Sequence, residues 1–306
     1  MYDLIIIGGG PAASAAGVYA ARKKLNTLVI TKEFAGQSIV SPEIYNWIGS
    51  KAISGEQLAK DLTDHVRSYE SDTFVIREGE SVISVTGEAG PFTVTTDTGD
   101  TYQTKTILVA SGAKRRRLSV PGADTFEHKG LTYCATCDGP LFSGMDVVVV
   151  GGGNAGFESA AQLLAYVKSV TLLEHSPAFK ADAVTVEKVL SHEHMTAIAN
   201  AEIVEVTGEG MVKGLRYKDL TSGKEHDLAV QGIFVEIGTL PNTEFVASLV
   251  ERDPYGRIKV DARTQKSTRT GIWAAGDCTD GLYAQNNIAA GDAIKAVEDI
   301  YVFLNA

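Results

Sequence analysis

The feature that most constrains this chain is a strand–turn–helix–strand unit written twice. Leu4-Ile5-Ile6-Ile7 is a run of branched and apolar residues of the kind buried in a parallel sheet. It leads into Gly8-Gly9-Gly10-Pro11-Ala12-Ala13, an Ala-rich helix to about Arg22, and a second apolar run at Leu28-Val29-Ile30. The pattern returns as Asp146-Val147-Val148-Val149-Val150, then Gly151-Gly152-Gly153-Asn154-Ala155-Gly156, a helix through Ala165, and Val170-Thr171-Leu172-Leu173. A lone Gly-x-Gly-x-x-Gly is weak evidence. Two in register, each between a strand and a helix, predict two dinucleotide-binding domains. Gly8 and Gly151 allow the tight turn, Gly10 and Gly153 let backbone approach a pyrophosphate, and Ala13 and Gly156 are small enough for close helix packing. Each helix N-terminus then faces the phosphates. Thr31 and Glu174 occupy equivalent places after the second strand of each copy.

Just before the second copy stands Tyr133-Cys134-Ala135-Thr136-Cys137-Asp138-Gly139-Pro140. Two cysteines this close can form and break a disulfide without unfolding anything; one thiolate attacks a disulfide and its partner resolves the mixed intermediate. Asp138 supplies a proton carrier beside them. A zinc site needs about four ligands. The third cysteine, Cys278, is far downstream, and His192-Glu193-His194 lacks a matching pair spacing. The pair therefore reads as redox-active, with no metal expected.

The chain has 306 residues and a net charge of −10, a balance that disfavours generic nucleic-acid binding. Its one basic cluster, Lys114-Arg115-Arg116-Arg117, reads as a solvated connector. No apolar run approaches the ~20 residues of a membrane span. Met1 leads straight into Tyr2-Asp3 and a strand-like run, so no signal peptide and a cytoplasmic location are expected. Two nucleotide sites with a redox pair between them suggest an electron path. A nicotinamide delivers a hydride, a flavin accepts it, and the flavin reduces a disulfide.

On these motifs the chain resembles the low-molecular-weight thioredoxin reductases, and still more closely the flavoprotein core of the alkyl hydroperoxide reductase flavoprotein subunit. The resemblance runs through Gly36-Gln37, Asn46-Trp47, Ala110-Ser111-Gly112, Cys134 to Pro140, Gly238 to Thr243, Ala275-Gly276-Asp277, and Tyr283 with Gln285. It implies an α/β fold of two Rossmann-like domains of the three-layer ββα type, the second inserted in the first. Residues 1–114 and 244–306 would form an FAD-binding domain. Residues 115–243 would form an NAD(P)H-binding domain carrying the cysteines, with hinges near Ala113-Lys114 and Asn242-Thr243. A homodimer is also implied.

The resemblance also implies roles for particular residues. Cys137 lies next to the flavin, Cys134 is the outer nucleophile, and Asp138 handles the proton. FAD contacts fall on Gly8, Gly10, Pro11, Ala12, Ala13, Thr31, Glu33, Gly36, Gln37, Asn46, Gly112, Gly276, Asp277, Gln285 and Asn286. Asp277 is placed at the N-terminus of the last helix, where a helix N-cap is its bland alternative. Nicotinamide-nucleotide contacts fall on Gly151, Gly153, Asn154, Ala155, Gly156, Glu174 and His175, with Gly238 at the return turn. Cys278 reads as a small residue in a tight turn.

The chain departs from NADPH-using members of that family, which carry a His-Arg-Arg stretch and a further Arg at the 2′-phosphate. Here Glu174-His175-Ser176 and Lys180 stand in those places. A carboxylate accepts hydrogen bonds from both ribose hydroxyls and repels a 2′-phosphate, so NADH is expected in preference to NADPH. The alternative is that Glu174 is merely an exposed charge. Because the chain begins at the flavin strand, with no disulfide-relay domain before it, a separate thioredoxin- or glutaredoxin-like protein is the expected electron acceptor. Three other readings stay open: a reductase fed by ferredoxin or a second flavin, a redox sensor without turnover, and an NADH oxidase-type flavoprotein.

Overall fold

In a computed structural model the described residues are 1–34, 36–40, 44, 46–87, 91–133 and 135–306, leaving aside the side chains of Val40, Thr136 and Cys137. Cys134 lies outside them. The chain divides into two compact units, Met1–Lys114 with Leu240–Ala306, and Arg115–Thr239.

In the first unit, Tyr2–Ile7 is central to a sheet with strand order Phe74–Glu78, Thr27–Thr31, Tyr2–Ile7, Thr101–Val109, Phe92–Thr96, Val82–Thr86. The first four are parallel, with Leu4 opposite Thr27 on one side and Thr106 on the other. Ile272–Ala274 joins the far end of Thr101–Val109, also in parallel. The unbroken Leu4–Ile7 run reflects burial on both faces. Leu4 and Ile6 pack with Ala13, Ala16, Ala20 and Val297 of the helices Pro11–Arg22 and Asn286–Asn305. Ile5 and Ile7 point the other way, among Phe92, Val94 and Val246.

The second unit repeats this logic. Its five-stranded sheet runs Met195–Ile198, Ser169–Leu173, Asp146–Val150, Gly232–Val235, Leu131–Thr132, all parallel. Val147 and Val149 face Phe157, Ala160 and Leu163 of the helix Asn154–Leu163, while Val148 and Val150 face Leu215 and Tyr217. A three-stranded antiparallel sheet, Ala201–Glu209, Met211–Asp219 and Glu225–Ala229, supplies that third layer. The helix ends at Leu163, two residues short of the expected Ala165.

The chain leaves and returns through Ala113–Arg115 and Thr239–Pro241, which pair as a two-stranded ribbon. The return falls between Thr239 and Leu240, upstream of the Asn242-Thr243 expected from sequence. Arg115 is not simply solvated: its guanidinium lies 3.7 Å from Glu236, and Arg117 pairs with Glu127 at 3.2 Å. Among the described residues, no helix is long and apolar enough to cross a membrane.

Candidate active site

Both glycine turns are shaped by close backbone approach. Gly8 has φ of +135°, and a Cβ there would lie 2.1 Å from the Ala110 carbonyl oxygen. Gly151 has φ of +120°, and its Cβ would lie 2.2 Å from the Glu236 carbonyl oxygen. No side chain fits either place. Gly10 and Gly153 are different. A Cβ at Gly10 would come no closer than 3.7 Å, to Gly36 Cα, and one at Gly153 meets nothing within 4 Å. That free space lies directly at the start of each helix.

Gly10 and Gly153 are also the N-caps, and neither helix has a side-chain cap or an acidic residue in its first turn. The first N–H groups of each helix are thus left for a ligand, on the positive end of the helix dipole. Pro11, at the first helical position, removes one donor that would be unused anyway. Ala13 is fully buried, whereas a Cβ at Gly156 would strike the Gly151 carbonyl at 1.9 Å. Asn154 accepts from the Asp182 N–H at 2.8 Å, fixing the loop beyond the second turn.

The middle glycines, which sequence reasoning passed over, are as constrained as the first. A Cβ on Gly9 would lie 2.1 Å from the Glu33 carbonyl oxygen and 2.4 Å from Thr31 Oγ1; one on Gly152 would lie 2.8 Å from Glu174 Cβ. Thr31 donates to the Glu33 carbonyl at 2.7 Å, and Gly36, at φ +67°, packs against Gly10 and Pro11. So the loop after each second strand closes onto its own glycine turn.

Glu174 is 8% exposed, which rules out its reading as a merely exposed charge. One carboxylate oxygen accepts from the Gly152 N–H at 2.6 Å and the other from the Ser176 N–H at 2.7 Å. Burial pushes its carboxyl up, but the Ser176 and Gly152 hydrogen bonds and the Lys180 charge outweigh this, and the net shift is downward from 4.5. The stabilisation is therefore fully present above the ordinary value and is lost only as pH falls through the lowered folded-state value. Each oxygen keeps a lone pair for a ribose hydroxyl. His175 is exposed.

In the first unit, Gly276 at φ +78° brings its turn against Ala12 and Ala289, within 3.5 and 3.2 Å of a Cβ. Asp277 follows it. The last helix begins only at Asn286, capped by Gln285, so Asp277 is neither its N-terminus nor its N-cap, contrary to expectation. Its carboxylate is half-buried with no hydrogen-bond partner among the described residues, and desolvation raises its pKa. Gln285 accepts from Asn46 Nδ2 at 2.9 Å, Asn286 accepts from Ser38 at 2.9 Å, and Gln37 donates to the Ala113 carbonyl at 2.7 Å. Gly112, at φ +61°, accepts from the Asn242 N–H, and in the second unit the Gly238 carbonyl accepts from the Arg116 N–H, both at 2.9 Å.

The described residues of the turn expected to be redox-active lie in the second unit. Leu131–Thr132 is the edge strand of its sheet, and Ala135–Asp138 forms a helical turn beginning one residue after Cys134. Ala135 is buried, and Gly139 packs against Leu163 and Tyr166 at the end of the fingerprint helix. Cys137 belongs to this turn, but its side chain, like Cys134, lies outside the described residues. Asp138 accepts a hydrogen bond from Thr132 Oγ1. Cys278 is fully buried, donates to the Val109 and Ala275 carbonyls at 3.4 and 3.3 Å, and burial pushes its thiol up to about 11. Such a thiol is inert. Among the described residues no group of three or more His, Cys, Asp or Glu could hold a metal.

One substitution pair separates shape from binding. Gly151→Ala is expected to destabilise the protein by at least about 2 kcal/mol, through strain and clash. Gly153→Ala is expected to leave thermal stability within about 0.5 kcal/mol of the native protein, yet weaken nicotinamide nucleotide binding. Thermal unfolding and nucleotide titration check both.

The family model described as pyridine nucleotide-disulphide oxidoreductase matches residues 2–293. The F subunit of alkyl hydroperoxide reductase of Escherichia coli (strain K12) is 41% identical over 304 residues, covering 99% of this chain and 58% of the relative. NADH dehydrogenase of Bacillus subtilis (strain 168) is 39% identical over 303 residues, covering 99% and 58%. The chain thus spans 58% of the length of these curated relatives. Among solved structures, a thioredoxin reductase of T. acidophilum matches with a TM-score of 0.85 and 36% identity, covering 100% of this chain and 99% of that one. The thioredoxin reductase of Lactococcus lactis matches with a TM-score of 0.87 and 28% identity, covering 100% and 99%.

Proposed function

Because the chain belongs to the pyridine nucleotide-disulphide oxidoreductase family, we propose that it is a flavin-dependent disulfide reductase passing electrons from NADH through FAD and the Cys134/Cys137 pair to the disulfide of a thioredoxin- or glutaredoxin-like protein. The observation that carries this reading is the doubled cradle. Each unit offers an open glycine position at an uncapped helix start, and the second also carries the redox turn against its fingerprint helix. The first unit suits FAD. Gly10 leaves room at the helix start, and the half-buried Asp277 carboxylate can accept from ribityl hydroxyls. The second suits NADH, with Glu174 at the ribose. Thioredoxin reductases matching along nearly their whole length support a thioredoxin-like acceptor.

Bound FAD supplies the two-electron relay between nicotinamide and disulfide. The residues do the rest. The Cys134 thiolate attacks one sulfur of the acceptor disulfide, forming a mixed disulfide and releasing one thiolate. Cys137 then attacks the Cys134 sulfur, releasing the second thiolate and leaving the Cys134–Cys137 disulfide. Asp138 delivers a proton to a departing thiolate. Over the cycle one NADH, one proton and one disulfide become one NAD⁺ and two thiols.

The name NADH dehydrogenase on the Bacillus subtilis relative favours a second reading, an NADH oxidase-type flavoprotein. Stoichiometry without oxygen separates the two. The FAD-loaded protein is expected to form two thiols for each NADH consumed. NADH consumption that needs oxygen and yields no thiol would favour the oxidase.

A further inference from the structure

The geometry points to Thr132 as a positioning residue that aims the Asp138 carboxyl at the thiol chemistry of the redox turn. The inference rests on the reductase reading above and deepens it.

Asp138 sits where the helical turn Ala135–Asp138 meets the short turn Gly139–Phe142, for which it is the N-cap residue. An aspartate there ordinarily turns its carboxylate onto the backbone N–H groups that follow. Asp138 makes no such cap. Its carboxylate reaches back six residues and accepts from Thr132 Oγ1 instead. With Pro140 in the first helical turn lacking an N–H to offer, the side chain is held on the side of the turn from which the chain enters.

Thr132 is suited to hold it. It is 6% exposed and pinned in the sheet, with Leu131 opposite Ile233 and Thr132 opposite Phe234 of the neighbouring strand. A β-branched side chain is stiff about χ1, so the hydroxyl has a fixed direction. A hydroxyl can also donate or accept. It donates to Asp138 when that carboxylate is ionised and accepts from it when it is protonated, so the pair stays together through the proton's departure and return. A methyl at residue 132 could make neither hydrogen bond.

The test uses the FAD-loaded protein turning over with NADH and two disulfides. Hydroxyethyl disulfide releases an ordinary alkyl thiol that must be protonated, whereas dithiobisnitrobenzoate releases an acidic thiol that leaves unaided. Thr132→Val is expected to lower kcat on hydroxyethyl disulfide about tenfold with KM little changed, and to affect dithiobisnitrobenzoate by less than about twofold. Thr132→Ser is expected to restore kcat to within about twofold of native. In the Asp138→Asn background, Thr132→Val is expected to cost nothing further, because the two act as one unit. Thr132→Ala carries the same expectation should the valine variant fail to fold.

Equal loss from Thr132→Val in both backgrounds, or equal loss on both disulfides, would overturn the inference, as would a serine variant as slow as the valine one. Slow turnover by Asp138→Asn with native rates in Thr132→Val would overturn it while leaving the reductase reading intact. Absence of NADH-driven reduction of either disulfide by the native protein would instead remove the reductase reading itself.

Discussion

Replacing either Cys134 or Cys137 with serine is expected to lower NADH-driven disulfide reduction by several orders of magnitude, while NADH still bleaches the bound flavin. Loss of a nucleophile that acts as part of a unit removes the whole chemical step. In the proposed function, hydride delivery from NADH uses the glycine cradles and Glu174 and no cysteine, so it is expected to survive both substitutions. The two variants are expected to differ in colour. With Cys134→Ser, the proposed function leaves an inner Cys137 thiolate to face oxidised flavin, so a long-wavelength charge-transfer band is expected at alkaline pH. With Cys137→Ser, that band is expected to be absent. The outer thiol is then free to be trapped as a stable mixed disulfide with a thioredoxin-like protein. Full turnover by either variant would show that the pair is not the conduit.

The second large effect concerns the choice of coenzyme. The native protein is expected to favour NADH over NADPH by about 10–100-fold in kcat/KM. That is the value of roughly 1.5–3 kcal/mol for a charge-assisted hydrogen bond made or missing at the 2′ position. Changing Glu174→Arg together with Ser176→Arg is expected to narrow or invert the ratio. Part of the loss with NADH will come from the backbone. The Glu174 carboxylate clamps the Gly152 and Ser176 amides, so its removal loosens the glycine turn as well as the ribose site. Glu174→Gln removes the charge at constant length but keeps only one acceptor oxygen, so one of the two amide clamps is lost with it. It is expected to raise NADPH efficiency modestly without the full NADH penalty. Equal use of both coenzymes by the native protein would contradict the assignment of Glu174.

What was legible in the sequence was local. Each fingerprint is a strand, a turn and a helix in succession, and every residue that defines it lies within about ten positions of the others. The alternation that sends Leu4 and Ile6 to one face and Ile5 and Ile7 to the other is likewise written in the run itself. What was not legible depends on contacts across the chain. Gly9 and Gly152 are constrained by Glu33 and by Glu174, which lie some twenty residues on. A glycine repeated at the middle position of both turns was the available signal. Asp277 was assigned to a helix start because an acid often caps one. Only the turn at Gly276, folded against Ala12 and Ala289, shows how it comes near that helix without belonging to it. Arg115 looked like one of four equivalent surface cations, yet Glu236, more than a hundred residues away, draws it inward. The Thr132 contact to Asp138 spans only six residues, but nothing in the residue types announces it, because a Thr on a short strand is ordinary.

The most direct measurement is an anaerobic titration of the FAD-loaded protein with NADH, followed by an oxidised thioredoxin, with the flavin absorbance monitored throughout. The account predicts that NADH bleaches the flavin and that the added disulfide restores it, with thiols appearing in step and NADPH far less effective. Flavin that neither coenzyme bleaches, or bleached flavin that only oxygen restores, would contradict it.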